Sequence, residues 1–317
     1  MYVQACLSMC KNLLLCCLLL STISKTYAQI TDSSAIKTVT LAEIRIANTS
    51  NARAFIENIK NDSSFYKAFR NLRVLSFSSL NNIVLYDKRH NIKASMTSKT
   101  HQIIEEACRL TQKIEETTTG DFYDEEGKYN YYTAELYASL FFAFEKVCGE
   151  TNIVKGYEQV VSGKTGIDKS KAQLKMLFFN PGAKIPGIPL MGNKAQVFDE
   201  HKSKWYNYTV DIIDKMGNPC YLFTITAKTS EEGGNANNIV IDKMTTVFDC
   251  QTLEVLSRKY SLSYDAGLYA FDVEMEVELN HYKNFLVPTL IRYIGNWRVI
   301  GKKKENGVFT ATLFDFK

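Results

Sequence analysis

Phe271-Asp272-Val273-Glu274-Met275-Glu276-Val277-Glu278-Leu279 is the stretch whose reading decides the fold. Apolar side chains alternate with carboxylates throughout it. Successive strand residues point to opposite faces, so as a strand this segment buries one face and wets the other. Wound as a helix it would spread acid and hydrocarbon around the whole cylinder. The chain from Trp205 onward repeats the logic. Strands are predicted near Trp205 to Ile213, Cys220 to Ala227, Ile239 to Asp249, Glu254 to Tyr264, Leu268 to Leu279, Leu286 to Ile294, Trp297 to Lys303 and Val308 to Phe316. Turn-forming residues separate them at Met216-Gly217-Asn218, Glu232-Gly233-Gly234-Asn235, Asp265-Ala266-Gly267, Gly295-Asn296 and Glu305-Asn306-Gly307. Short connections mean sequential antiparallel pairing, and with no βαβ pattern there is no dinucleotide fold.

One face of that sheet needs a cover. Tyr131 to Val147 carries Tyr132, Leu136, Leu140 and Phe144 on one stripe, widened by Tyr137, Phe141 and Phe142, which predicts a helix laid against the apolar face. A second helix is predicted from the capping Asp168 to Phe178. Further amphipathic helices are expected from Leu41 to Ile59 and, after the cap Asp62-Ser63-Ser64, on Phe65, Phe69 and Leu72. Val74 to Phe77, Ile83 to Tyr86 and Ile92 to Thr97 read as short strands with one hairpin. Ile103, Ala107, Leu110 and Ile114 recur at three and four, predicting a helix that ends near Gly120. The predicted class is α+β, a curved antiparallel meander sheet, half-barrel like, packed against amphipathic helices. A helix-rich part with a short hairpin is expected over 29–180 and the meander over 181–317, the two forming one domain. The Pro- and Gly-rich stretch Asn180 to Gly192 marks the junction; its Ile185, Ile188, Leu190 and Met191 either tuck under the sheet or form an exposed lip.

The first residues have another character. Lys11 precedes the apolar run Leu13 to Leu20, and Thr26-Tyr27-Ala28 suits signal peptidase, so residues 1–28 are expected to be a cleaved secretory signal. The alternatives are an uncleaved membrane anchor or a buried helix. Removing that segment takes away Lys11 and Lys25 and no acids from a chain whose formal charge is only +4. A nearly neutral mature protein argues against nucleic acid as a partner and against a strongly basic membrane patch. Cys108, Cys148, Cys220 and Cys250 then remain. A hairpin through Tyr221 and Val247 would bring Cys220 and Cys250 within a few residues of register, so this pair forms a disulfide across a bulge or stays as buried thiols.

Motifs for catalysis fail on spacing. Ser162-Gly163-Lys164-Thr165 ends like a phosphate-binding loop, but Glu158 stands where its first glycine is required. No Gly-x-Ser-x-Gly elbow exists, and His90, His101, His201 and His281 lack metal-ligand spacing. Cys220 with His201 has no local support as a nucleophile and base. Neither a catalytic set nor a cofactor is expected. The binding surface expected instead is the inner face of the sheet, with Leu222, Val240, Val247, Phe271, Val273, Met275, Val277, Leu290 and Tyr293 facing a lipid or other apolar ligand, or else closing on themselves as an ordinary core.

A leading signal, an amphipathic N-terminal helix, interposed helices, and antiparallel strands ending in Tyr293-Ile294-Gly295-Asn296-Trp297 and Val308 to Phe316 resemble, in layout, the LolA/LolB-like half-barrels, the lipoprotein-sorting carriers of the bacterial periplasm. The resemblance implies a curved sheet clasping lipid chains beneath helical lids, in the periplasm or cell envelope of a Gram-negative bacterium, with transient contact to a membrane surface or an envelope protein. The chain departs from that layout in its extra helical region, 100–178, and in its near-neutral mature charge.

Overall fold

In a computed structural model of the chain, residues 57–60, 62–154, 177–183, 194–265, 269–299 and 304–317 are described. Helix α1 (Ser64–Asn71) leads into β1 (Phe77–Tyr86), β2 (Ile92–Glu105) and β3 (Cys108–Gly120), followed by α2 (Tyr132–Phe141) and β4 (Val147–Cys148). The second run is β5 (Tyr206–Lys215), β6 (Asn218–Ala227), β7 (Ile241–Asp249), β8 (Val255–Asp265), β9 (Tyr269–Tyr282), β10 (Phe285–Val299) and β11 (Glu305–Phe314). The chain divides into two units, Met1–Leu41 and Ala42–Lys317, and every described residue belongs to the second. The signal segment 1–28, the helical reading of 41–56, the helix from Asp168 up to residue 176 and residues 184–192 of the junction lie outside the described residues.

All the strands join one open, curved antiparallel sheet of eleven strands in the order β4-β3-β2-β1-β11-β10-β9-β8-β7-β6-β5. Consecutive strands are neighbours except β4 and β5, which form the two edges, and the one pairing of strands distant in sequence is that of β1 with β11, from Ser78 with Phe314 to Tyr86 with Asn306. That ladder joins the β1 to β4 wing to the long meander. Burial along β9 follows the alternation of the sequence: Phe271, Val273, Met275, Val277 and Leu279 are buried, while Asp272 and Glu274 face solvent. On the outer face Glu276 lies between Lys259 of β8 and Arg292 of β10 in register, and Lys215 bonds Glu278 at 2.6 Å. Arg258 has Val277 as its register partner and is buried on the inner face.

Three expectations are corrected. The region of Ile103 to Ile114 is a hairpin, not a helix: β2 and β3 turn through Glu106 and Ala107, both with left-handed backbone (φ 50° and 59°), and Ile103 pairs with Leu110. The β-branched run Thr111, Ile114, Thr117, Thr118 and Thr119 favours the strand, and a tight turn without Gly or Asn leaves no local signature. Second, neither Gly295-Asn296 nor Glu305-Asn306-Gly307 is a turn: the first lies within β10, the second opens β11, and the two pair in register. A Cβ on Gly295 would fall 2.0 Å from the Tyr293 hydroxyl oxygen, so this glycine makes room for the Tyr293 ring, whose oxygen accepts the Trp297 indole N–H. Third, Cys220 and Cys250 are free thiols, and the disulfide joins Cys108 to Cys148, register partners on β3 and β4. Cys220 pairs in register with Asp249, which leaves Cys250 one residue out of phase. Burial pushes both free thiols above their ordinary range.

Few helices remain. The helix predicted from Tyr131 to Val147 runs only from Tyr132 to Phe141. Its first turn is held by a distant strand: the Glu305 carboxylate of β11 accepts the backbone N–H groups of Tyr132 (2.9 Å) and Thr133 (2.8 Å) and the Thr133 hydroxyl (2.5 Å). It satisfies donors that a helix start leaves open and places a negative charge at the positive end of the helix. β4 covers only Cys108 and Arg109 of β3, so Gln112 to Gly120 lie exposed along one margin of the sheet. Glu305→Ala is expected to lower stability by about 2 kcal/mol, as the stronger helix caps do. Urea unfolding followed by circular dichroism checks this, and an unchanged midpoint would show that the carboxylate carries no weight.

Candidate functional site

The inner face has two zones. Across β6 to β11 it is apolar and aromatic, built from Phe223, Ile225, Met244, Leu262, Phe271, Val273, Met275, Val277, Ile291, Tyr293 and Phe309, all buried. Short segments roof it. Tyr137 of α2 stacks on Phe309 at 4.5 Å and meets Tyr293 edge-on at 4.9 Å. Phe141 lies over Phe309 at 5.2 Å, and Phe178 stands edge-on to Tyr293 at 5.9 Å. From α1, Phe65 approaches Tyr260 edge-on at 6.4 Å. These centroid distances are those of interacting aromatic pairs.

Two polar groups interrupt the apolar zone. Tyr260 donates its hydroxyl to the Phe178 carbonyl, tying sheet to roof, and burial raises its pKa well above the ordinary phenol range. Arg258 donates from Nε to Thr246 Oγ1 at 3.0 Å and lies 4.4 Å from the Phe65 ring centre. Burial lowers its pKa to about 10, against the opposing fields of Asp62 and Tyr260, so it stays charged near neutrality.

Over one end of β1 to β3 the inner face is polar and still buried, while Ile83, Leu85, Ala94 and Met96 continue the apolar zone at the other. Ser79 and Thr100 hydroxyls bond at 2.7 Å, and Asn81 Nδ2 donates to Thr100 at 3.2 Å and to Ser98 at 3.3 Å. Gln102 Nε2 donates to the carbonyls of Leu72 (2.6 Å) and Leu75 (2.8 Å), anchoring the chain that leaves α1. Beside it Arg109 bonds Glu150, which also takes Arg73 at 2.6 Å. Lys67 donates to the Asn152 carbonyl at 2.5 Å, and Arg70 to that of Thr151, so the cationic side chains of α1 point at residues 150–152. Burial works to raise the Glu150 pKa, yet Arg73, Arg109 and Arg70 outweigh it and hold the carboxyl below its ordinary 4.5. Burial, with Arg73 next, lowers that of Arg109. Where the zones meet, a cavity of about 30 Å³ is lined by Phe69, Leu72, Arg73, Gln102, Arg109, Leu140, Phe141 and Phe179 among others. That is room for about one water molecule.

Of the residues expected on the inner face, Val240, Phe271, Val273, Met275, Val277 and Tyr293 belong to the interior cluster. Leu222, Val247 and Leu290 do not: Leu222 pairs with Val247, Val247 with Ser257, and both Ser257 and Leu290 with Glu278, which puts all three on the acidic outer face. At Leu290 the register shift between Pro288 and Leu290 produces the inversion, because an irregularity of one residue exchanges the faces. Leu222 and Val247 instead alternate with the buried Phe223, Thr246 and Phe248 and so fall on the outer face. Arg258, Gln102, Arg109, Arg73 and Glu150 were missed. Counting back by twos from Leu262 and Tyr260 puts Arg258 on the inner face, a signal present in the sequence. Arg109 and Glu150 had none, since their meeting depends on the β3 and β4 pairing. Among the described residues no group of three or more His, Cys, Asp or Glu is placed to hold a metal ion.

No family model matches the chain, and no curated protein matches it. Among solved structures it is similar to a Vibrio parahaemolyticus domain named for outer membrane lipoprotein sorting, at 9% identity and a TM-score of 0.29, over 85% of this chain and 93% of that one. It is also similar to a DUF1329 family protein from Desulfovibrio piger, at 8% identity and a TM-score of 0.24, over 80% of this chain and 93% of that one.

A carboxyl whose pKa is depressed by folding stabilises the fold fully above its unfolded value and loses that contribution as pH falls through the folded one. For Glu150 the loss begins below its ordinary 4.5. Urea midpoints measured from about pH 6 down to about pH 3 should fall less steeply in Glu150→Gln than in the wild type. Superimposable pH profiles would mean that the two arginines do not stabilise the ionised form.

Proposed function

We propose that this chain is an exported protein that holds a lipid or other apolar ligand between the inner face of its curved sheet and the short segments roofing it, without transforming that ligand. The observation that carries the reading is the roof. Among the described residues the apolar face of β6 to β11 is covered by helices of eight and ten residues and by single aromatic side chains, with no second sheet. Helices this short have little stability of their own and stay folded through packing. Displacing α1 or α2 would uncover Tyr260, Tyr293 and Phe309, a surface suited to hydrocarbon. Val240, Phe271, Val273, Met275, Val277 and Tyr293 are its proposed floor. The reading of residues 1–28 as a secretory signal supports a periplasmic or envelope location, where delivery of the ligand calls for transient contact with a membrane surface or an envelope protein.

A second reading, a structural or interaction module of the cell envelope, is favoured by the cavity of about 30 Å³, because hydrocarbon enters only if side chains leave. Native mass spectrometry of the purified protein separates the two. On the first reading an adduct of acyl-chain mass is present, and Met275→Trp, which crowds the floor, lowers its occupancy while circular dichroism stays that of the wild type. A bare mass that does not change on delipidation, with unaltered thermal stability, supports the module and ends the carrier reading.

A further inference from the structure

Arg73 and Arg109 stand close together at the polar end of the interior, their side chains only 12% and 8% exposed, and they share a single carboxylate, that of Glu150. A guanidinium carries five N–H donors. Among the described residues the side chain of Arg73 donates one hydrogen bond, to Glu150, and that of Arg109 donates two, to Glu150 and to Gln102 Oε1 at 3.3 Å. Two cations gathered around one anion, with guanidinium nitrogens left over that make no hydrogen bond among the described residues, are a favourable arrangement for receiving a further acceptor. Both line the cavity of about 30 Å³ whose other walls include Phe69, Leu72, Leu140, Phe141 and Phe179. The guanidiniums therefore stand at the entrance to apolar surface.

Glu150 is the replaceable member. It is 25% exposed, it follows Gly149 in left-handed backbone (φ 72°), and it lies just beyond β4, which spans two residues. Resting on the proposal that the inner face holds an apolar ligand, we propose that this ligand is an anionic amphiphile: its carboxylate or phosphate headgroup takes the place of the Glu150 carboxylate between Arg73 and Arg109, and its chain runs past Phe69, Leu140 and Phe141 onto the apolar zone. Guanidinium matches either headgroup through paired N–H donors.

Isothermal titration of the full mature protein with sodium tetradecanoate and with tetradecan-1-ol, equal in chain length, tests the assignment. The carboxylate is expected to bind about tenfold more tightly than the alcohol, the size of a charge-assisted hydrogen bond. In Arg73→Gln/Arg109→Gln that difference should vanish with alcohol binding retained, which also reports that the variant is folded. Glu150→Gln removes the competing anion and should widen the difference; weaker carboxylate binding in that variant would make Glu150 part of the receiving site and overturn its role as the displaced group. Equal wild-type affinity for acid and alcohol overturns the headgroup assignment and leaves the apolar site standing. Binding of neither overturns the carrier reading itself. Inorganic phosphate that displaces tetradecanoate at equal concentration would show a site for free anions, not for amphiphiles, and would also overturn the assignment.

Discussion

A sheet that is apolar on one face only is unstable in water until that face is covered, and the architecture follows from how the covering is done. Eleven strands without closure between β4 and β5 expose more inner surface than one helix can hide. The chain meets the demand piecemeal, with α1, α2, Phe178 and Phe179 each contributing aromatic rings. Phe179 stacks on Phe69 at 4.3 Å and meets Phe141 edge-on at 5.5 Å, so the roof pieces also hold one another. Large flat side chains suit this work, because each hides much area while fixing few torsions. The pairing of β1 with β11 sets the arrangement in place, since it brings the wing that carries α1 beside the end of the meander.

Charge on the inner face divides into two kinds. Around Arg109 the buried groups bond one another: Gln102 bonds backbone on one side and accepts from Arg109 on the other, and Glu150 bonds two guanidiniums. Arg258 is held more sparsely, by one hydroxyl, one aromatic face and the field of Asp62. Asp62 in turn keeps Oδ2 buried without a hydrogen-bond partner among the described residues while its Oδ1 accepts the Ser64 N–H at 3.0 Å. The attachment of α1 to the sheet thus combines a satisfied polar contact through Gln102 with a less saturated one at Arg258. A buried cation with so few partners is tolerable because a guanidinium sheds water more readily than an ammonium and spreads its charge over a plane that a ring can face.

The meander was legible because alternation is a short-range property: Phe271 to Leu279 declares its two faces without reference to anything else in the chain. Gly295 shows the limit of that reading, since a glycine beside an asparagine reads as a turn until the Tyr293 ring that needs its space is known. Leu222, Val247 and Leu290 failed for a related reason. Their neighbourhoods are apolar on both sides of the strand, so either phase reads as buried, and at Leu290 a bulge also shifts it. Ile103 to Ile114 fits both periods, and the hairpin won through β-branched residues and a turn without glycine. The disulfide and the Arg73, Arg109 and Glu150 cluster lay beyond local reading. Cys108 and Cys148 are separated by 40 residues, and nothing near either one names its partner.

The uncovered margin of β3 has a consequence of its own. From Gln112 to Gly120 one side of the strand presents main-chain donors and acceptors with no neighbouring strand beyond them among the described residues, in a threonine-rich sequence that takes readily to extended pairing. What stands between this molecule and edge-on stacking into fibrils is a short palisade of charge, Lys113, Glu115 and Glu116, with Lys113 and Glu116 bonded to each other at 3.0 Å. Charges on an edge strand oppose such pairing, and concentrated salt screens them.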